Sequence, residues 1–136
     1  MILDGKLVSK SLKDNIKTEI NSYLLAGKRK PKLVIVQVGD VMASNIYVKN
    51  KIKACEYVNM DYEHIKLSDE IKEDFLLELI SNLNQDICID GIIVQLPLPK
   101  HINEDKVINA IDSNKDVDGF GILNKGKIIK EISKDE

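Results

Sequence analysis

Three stretches of the sequence place side chains capable of chemistry close together. In the first, Tyr47 and Lys51 lie four residues apart. On a helix that spacing puts both on one face, a turn apart. An aromatic ring beside an amine can hold a planar substrate and bring a proton carrier to its edge. Lys49 and Lys53 add positive charge, and like charge with partial burial favours a basic, neutral amine on Lys51. General acid–base work near neutrality asks for such a group. The plainer reading is a lysine-rich helix face open to water, and for any one lysine it is the stronger one.

The second stretch runs Asp90-Gly91-Ile92-Ile93-Val94-Gln95-Leu96-Pro97-Leu98-Pro99. Prolines cannot donate to a sheet ladder, so the apolar strand must end there, and their fixed φ stiffens the loop. Gln95 is left at the rim with an amide donor and an acceptor. An ordinary strand end before a proline turn would look the same. The third stretch is Lys115-Asp116-Val117-Asp118-Gly119-Phe120. In extended backbone Asp116 and Asp118 would face the same way. A carboxylate there could accept paired N–H bonds from an amidine-like heterocycle edge. A solvated acidic loop or a weak divalent-cation site are the alternatives, although the oxygen ligands are too few for a calcium loop. Gly119-Phe120-Gly121 with Gly126 does not fit the dinucleotide fingerprint, and no helical pattern is seen after it.

The elements that must carry these residues follow from periodicity. Val8, Leu12, Ile16, Ile20 and Leu24 predict a helix after an Asp4-Gly5 turn, stopped near Gly27. Leu33 to Val38 predicts a buried strand. A helix from Ser44, as N-cap, to about Val58 follows, its buried face drawn from Ile46, Val48, Ile52, Ala54, Cys55 and Val58. Asp61 to Leu67 reads as a weaker strand. Ser68 can cap a helix with the stripe Ile71, Phe75, Leu79 and Leu83, and Leu76 and Ile80 beside it. A third strand covers Ile92 to Val94, with Ile87 to Ile89 beginning or preceding it, and Asn103 caps a helix over Glu104 to Ile111. Asn124-Lys125-Gly126 suggests a turn in a small hairpin, and Ser133 to Glu136 a frayed end. Strands alternating with helices imply an α/β fold: three layers, a mostly parallel sheet and helices on both faces. In such sheets ligands sit beyond the carboxyl ends of the strands, where Gly39–Ser44 and Gln95–Pro99 emerge.

At 136 residues the chain fits one domain. A net charge of −2 gives no field for nucleic acid or an anionic membrane. Cys55 and Cys88 lack metal-ligand spacing and read as reduced, buried thiols, and His64 and His101 form no ligand pattern, so no metal is expected. Neither a signal peptide nor an apolar run of membrane-spanning length is seen, which makes the cytoplasm the expected location.

Taken together, the motifs closely resemble one family, the bifunctional methylenetetrahydrofolate dehydrogenase/methenyltetrahydrofolate cyclohydrolases. The likeness runs from Ile2-Leu3-Asp4-Gly5-Lys6 through Val38-Gly39, Ala43-Ser44-Asn45-Ile46-Tyr47-Val48-Lys49-Asn50-Lys51 and Lys53-Ala54-Cys55-Glu56. It continues in Asp90–Pro99 and Lys115–Phe120. Six blocks in order are spread over nearly all of residues 1–120. The resemblance implies that Tyr47 stacks on the pterin ring of folate and that Lys51 is the catalytic lysine. Gln95 would bond to Lys51 and tune it, with Gln95 and Tyr47 thus counted among the catalytic residues. Asp118 would bind the amino-pyrimidine edge, and Ser44, Leu96 and Pro97 would line the substrate.

The implied chemistry is oxidation of 5,10-methylenetetrahydrofolate by NADP or NAD, then hydrolysis of the methenyl cation to 10-formyltetrahydrofolate. Family members are about twice as long, their second half binding the nucleotide and making most of the dimer contact. Residues 1–120 are therefore expected to be the folate-binding catalytic domain, and 121–136 a tail or the start of a linker to a dinucleotide-binding domain. The expectation for this chain is no bound cofactor, no hydride transfer, weak cyclohydrolase activity and a monomeric state. The alternative is a folate-binding or regulatory module without turnover. Two departures stand out: Gly121-Ile122-Leu123 replaces a polar or proline-containing stretch, and Asn59 stands where the family often has glycine.

Overall fold

A computed structural model describes residues 4–132. Asp4 acts as a helix cap rather than a turn: its Oδ1 accepts from the backbone N–H of Lys6 at 3.0 Å. Helix α1 follows, Gly5–Leu25. It ends in a Schellman-type closure at Gly27, φ +74°, where Lys28 N–H donates to the Tyr23 carbonyl. Then come β1 (Lys32–Val38), α2 (Met42–Val58), β2 (Asp61–Leu67), α3 (Glu73–Gln85), β3 (Gly91–Val94), α4 (Glu104–Ala110) and α5 (Ile122–Ile132). The sheet is parallel throughout, in the order β2-β1-β3. A single parallel bridge from Ile92 to Asp116 lays one more residue along the outer side of β3. The α/β fold with a parallel sheet agrees with the sequence.

The central strand shows why its run is apolar on both faces. Val34, Val36 and Val38 pack with Leu76, Ile80 and Leu83 of α3 and Val107 of α4. Ile35 turns the other way, onto Val48 of α2 and Ile93. Burying a Val, Leu or Ile contributes roughly 1.5–3 kcal/mol, so this two-sided core supplies much of the drive to fold. The strand β2 lies at the margin, and four of its seven residues in a row, Asp61 to His64, are exposed.

Several local expectations are corrected. Ser44 does not cap α2, which starts at Met42 after Val41, without a side-chain cap. Ser68 does not cap α3 either; its Oγ accepts from Glu70 N–H in a local turn. The α3 stripe is also rotated: Leu76, Ile80 and Leu83 are buried and Phe75 is exposed. On α1 only Ile20 of the predicted stripe is buried, while Val8, Leu12 and Ile16 face solvent. Ile46 is exposed on α2, and Cys88 is exposed although Cys55 is buried. The hairpin expected around Asn124-Lys125-Gly126 is helix α5 instead. The frayed end expected at Ser133 to Glu136 lies outside the described residues. Asn59, at the family's glycine position, adopts φ +64° and closes α2, a conformation asparagine tolerates well.

Candidate functional site

The loops leaving β1 and β3 emerge side by side, since the two strands are paired and parallel. α2 grows out of the first loop. Ser44, Tyr47, Val48 and Lys51 are spaced i, i+3, i+4, i+7, one stripe along that helix. Val48 anchors the stripe in the core, at 2% exposure, and that fixes where the other three can go. Ser44 is buried and donates from Oγ to the Leu96 carbonyl at 3.3 Å. Lys51, half-buried, donates from Nζ to Gln95 Oε1 at 2.8 Å. Tyr47 stands exposed beside them.

The Gln95 amide is oriented by its neighbours. Its Nε2 donates to the Leu96 carbonyl at 3.0 Å. A carbonyl can only accept, so the NH2 must point there and Oε1 must point to Lys51. Ser44, the Leu96 carbonyl, Gln95 and Lys51 thus form one continuous hydrogen-bonded chain. The backbone of Gln95 is itself fixed, its N–H donating to the Val36 carbonyl at 2.8 Å. The Leu96–Pro97 peptide is cis, and Pro97 is exposed at the rim.

The acidic stretch is not extended, which corrects the expectation that Asp116 and Asp118 face the same way. It is a turn in which Gly119 N–H donates to the Asp116 carbonyl, and Gly119 has φ +68°. Asp116 is buried. Its Oδ1 accepts from Gly119 N–H at 3.1 Å, and its Oδ2 from Gly121 N–H at 2.9 Å and Asn124 Nδ2 at 3.0 Å. Asp118 points outward, and no described residue donates a hydrogen bond to its carboxylate. Loss of hydration raises the Asp118 pKa above the usual carboxylate range; the Lys51 charge pulls it down and Asp116 pushes it up. Lys51 and Asp118 therefore lie within electrostatic reach of one another. Gly91 allows this loop to lie on β3, because a Cβ there would sit 2.7 Å from Val117 Cγ1.

Lys51, Gln95, Ser44, Leu96 and Asp118 are brought together on one open face, with Tyr47 on the same helix stripe. A neighbouring cavity of about 630 Å³ touches this face only through Leu96 and Phe120 and runs away from Lys51 toward Asn103 and Lys125. Among the described residues no group of His, Cys, Asp and Glu could hold a metal ion. Among the described residues no helix is long and apolar enough to cross a membrane.

The sequence reading missed the surroundings of two polar groups. Gln37, in the centre of an apolar run, is 2% exposed and donates to Asn45 Oδ1 at 2.7 Å. Its Oε1 lies 3.0 Å from His64 Nε2, which must carry the proton. Asn45 in turn donates to Asp40, which also takes Lys66 Nζ at 2.6 Å. This network pins the first turns of α2 to the sheet. A glutamine inside an apolar strand was the available signal, since a buried amide needs partners. The second group is Asp116, whose partners lie in a turn and in a helix that periodicity did not reveal.

Known proteins resemble this chain in sequence and in fold. The bifunctional protein FolD of Mycoplasma mycoides is 45% identical over 130 residues, 96% of this chain and 45% of that protein. FolD of Hydrogenobaculum sp. is 50% identical over 127 residues, 93% of this chain and 44% of its own length. The chain thus spans about half the length of the curated relatives it matches. The crystal structure of the bifunctional enzyme FolD, methylenetetrahydrofolate dehydrogenase/cyclohydrolase, from Campylobacter jejuni superimposes with a TM-score of 0.89 at 41% identity. That match covers 93% of this chain and 44% of the other. Residues 3–118 match the family model described as tetrahydrofolate dehydrogenase/cyclohydrolase, catalytic domain, and the chain belongs to that family.

Proposed function

We propose that this chain binds a reduced folate on the Tyr47–Lys51 face and hydrolyses its 5,10-methenyl form to the 10-formyl form. The observation that carries the reading is the Lys51–Gln95 hydrogen bond at 2.8 Å, with an outward carboxylate, Asp118, within electrostatic reach that takes no hydrogen bond from a described residue. Tyr47 offers a flat platform for the pterin. Asp118 accepts the paired N–H groups of its amino-pyrimidine edge. Ser44, Leu96 and Pro97 shape the rim.

In hydrolysis a water oxygen bonds to the methenyl carbon and releases a proton. The bond from that carbon to N5 then breaks, N5 takes up a proton, and the new hydroxyl gives up its own proton as it becomes the formyl carbonyl. Lys51 is placed to accept the first proton and return one, with Gln95 holding its amine in position. Water thus loses two protons: one ends on N5, the other leaves to solvent and carries away the positive charge of the methenyl substrate, and no reactant other than water is needed.

The dehydrogenase step needs a hydride acceptor. A solved relative from Trypanosoma brucei is complexed with an NADP cofactor and inhibitor, so NADP or NAD is the acceptor proposed for the whole enzyme. The residues described here do not fit a dinucleotide. The one glycine-flanked turn that leads into a helix, Gly119-Phe120-Gly121 before α5, already gives the N–H groups of Gly119 and Gly121 to the Asp116 carboxylate. A pyrophosphate would meet that negative charge instead of free N–H groups. Hydride transfer is therefore assigned to no residue of this chain.

Measuring methenyltetrahydrofolate hydrolysis by wild type and Lys51→Met, with folate binding followed in parallel, tests the reading. Faster hydrolysis than buffer that Lys51→Met abolishes supports it. Folate binding without hydrolysis moves the chain to the alternative, a binding module, and absence of both defeats it.

A further inference from the structure

The Asp116 carboxylate is buried and none of its donors is a cation; all are backbone or amide N–H groups, one from the turn, one just ahead of α5 and one on its first turn. Its backbone joins the sheet through the bridge to Ile92, and Ile92 N–H donates to the Lys115 carbonyl at 2.8 Å. Asn124, besides donating to Asp116, donates to the Ser113 carbonyl at 3.0 Å. A single carboxylate therefore ties three pieces: the sheet margin, the turn that carries Asp118, and the start of α5. Its two oxygens meet N–H groups on different sides. An asparagine in its place would turn an NH2 group against one set of donors whichever way it rotated. Burial makes that mismatch costly.

The geometry assigns Asp116 the part of a positioning residue that aims Asp118 at the heterocycle edge, an inference that rests on the folate reading above. Asp118 makes no hydrogen bond of its own to described residues, so its direction is set by the turn, and the turn is set by Asp116. Asp116 itself touches no substrate. Its loss would misdirect the anchor while leaving intact the Lys51–Gln95 pair, whose hydrogen bonds do not involve Asp116.

The test is discrimination rather than activity. Folic acid and its 2-desamino analogue are titrated against the full chain by calorimetry. The wild type should prefer folic acid by about tenfold or more, the worth of a charge-assisted hydrogen bond. Asp116→Asn, with its fold checked by circular dichroism, should reduce the preference to about twofold or less, as Asp118→Ala does. The variant should also raise KM for methenyltetrahydrofolate far more than it lowers kcat. A merely structural role would weaken both ligands equally, and a folded Asp116→Asn that keeps the wild-type preference overturns the inference.

If Asp116→Asn does not fold, Gly121→Ala serves, because its methyl would lie 3.0 Å from Asp116 Oδ2 and press on the same carboxylate. It should lower the preference several-fold, and an unchanged preference overturns the inference. Wild type that binds folic acid without preference overturns it too. Wild type that binds neither ligand defeats the folate reading itself, a separate failure.

Discussion

The two ends of the sheet each carry an acid and a base, and they use them in opposite ways. At the amino end Arg29 grips Asp90 with both guanidinium nitrogens, at 2.6 and 2.9 Å. The same pair takes up Lys32 N–H and the Lys30 and Ile87 carbonyls. At the carboxyl end Lys51 is met by a neutral amide, and Asp118 has no described donor. Charge that is paired off ties chain segments together. Charge held near its opposite but not bonded to it keeps its valences for a ligand. Four predictions would break or sharpen that contrast.

The largest effect belongs to Lys51→Met, which removes the proton carrier. Hydrolysis should fall at least about a hundredfold, with folate affinity within a few-fold of wild type, as single-turnover kinetics and calorimetry would show. Hydrolysis that survives the substitution would remove Lys51 from the chemistry. Next is Asp118→Ala, which should weaken folic acid binding by roughly ten- to a hundredfold, since it deletes a charged acceptor. Thermal unfolding should barely change, because nothing in the described structure leans on that side chain.

The third concerns acid. The Asp118 carboxyl titrates above the ordinary carboxylate range, chiefly through lost hydration. Only its ionised form accepts both N–H groups, so folic acid affinity should decline as pH falls through that raised value, starting at a higher pH than a fully hydrated aspartate would give. In Asp118→Asn this part of the decline should vanish. At the amino end the sign is reversed. The Arg29 guanidinium holds Asp90 below the usual range, so the pair's stabilisation is present above the unfolded-state value and is lost only as pH falls through the depressed one.

The smallest effect follows from the same pair. Both side chains are nearly half exposed, at 47% and 46%. Solvent screening then limits the contribution to about 1 kcal/mol or less. Asp90→Asn should lower Tm by a few degrees, read by calorimetry, and leave folate affinity untouched. A loss of binding instead would mean that the two ends are coupled.

How much of this was written in the sequence depends on how far each signal had to reach. Helix spacing and a strand end, both local facts, were enough to single out Tyr47, Lys51 and Gln95, but the Lys51–Gln95 bond was expected only from the family resemblance. The strands were legible because Leu33 to Val38 and Ile92 to Val94 are buried on both faces. Ser44 was misplaced as a cap, since its hydroxyl serves Leu96, 52 positions away. The rotation of α3 was missed because Ile71 and Phe75 extend its apolar period beyond the face the sheet covers. The stripe on α1 predicted the helix correctly but not its burial, as periodicity says which residues share a face and not what covers it. The burial of Asp116 was missed for a similar reason: a carboxylate reads as solvated until its N–H partners are found, and two of the three lie beyond the turn, at Gly121 and Asn124.

The margins of the sheet bear on what happens when many copies crowd together. β2 has one unpaired side, yet it carries Asp61, Glu63 and Lys66, and the first two are drawn to Lys30 and Lys32. A newly made chain offering a strand to that side would have to strip water from these groups. At the opposite side the Lys115–Asp116 segment lies against β3 and shortens the stretch that a stranger could copy. Charge at one border and the Lys115–Asp116 segment at the other make both edges poor templates for edge-to-edge pairing, and the carboxylate that steadies the turn belongs to the segment that blunts one of them.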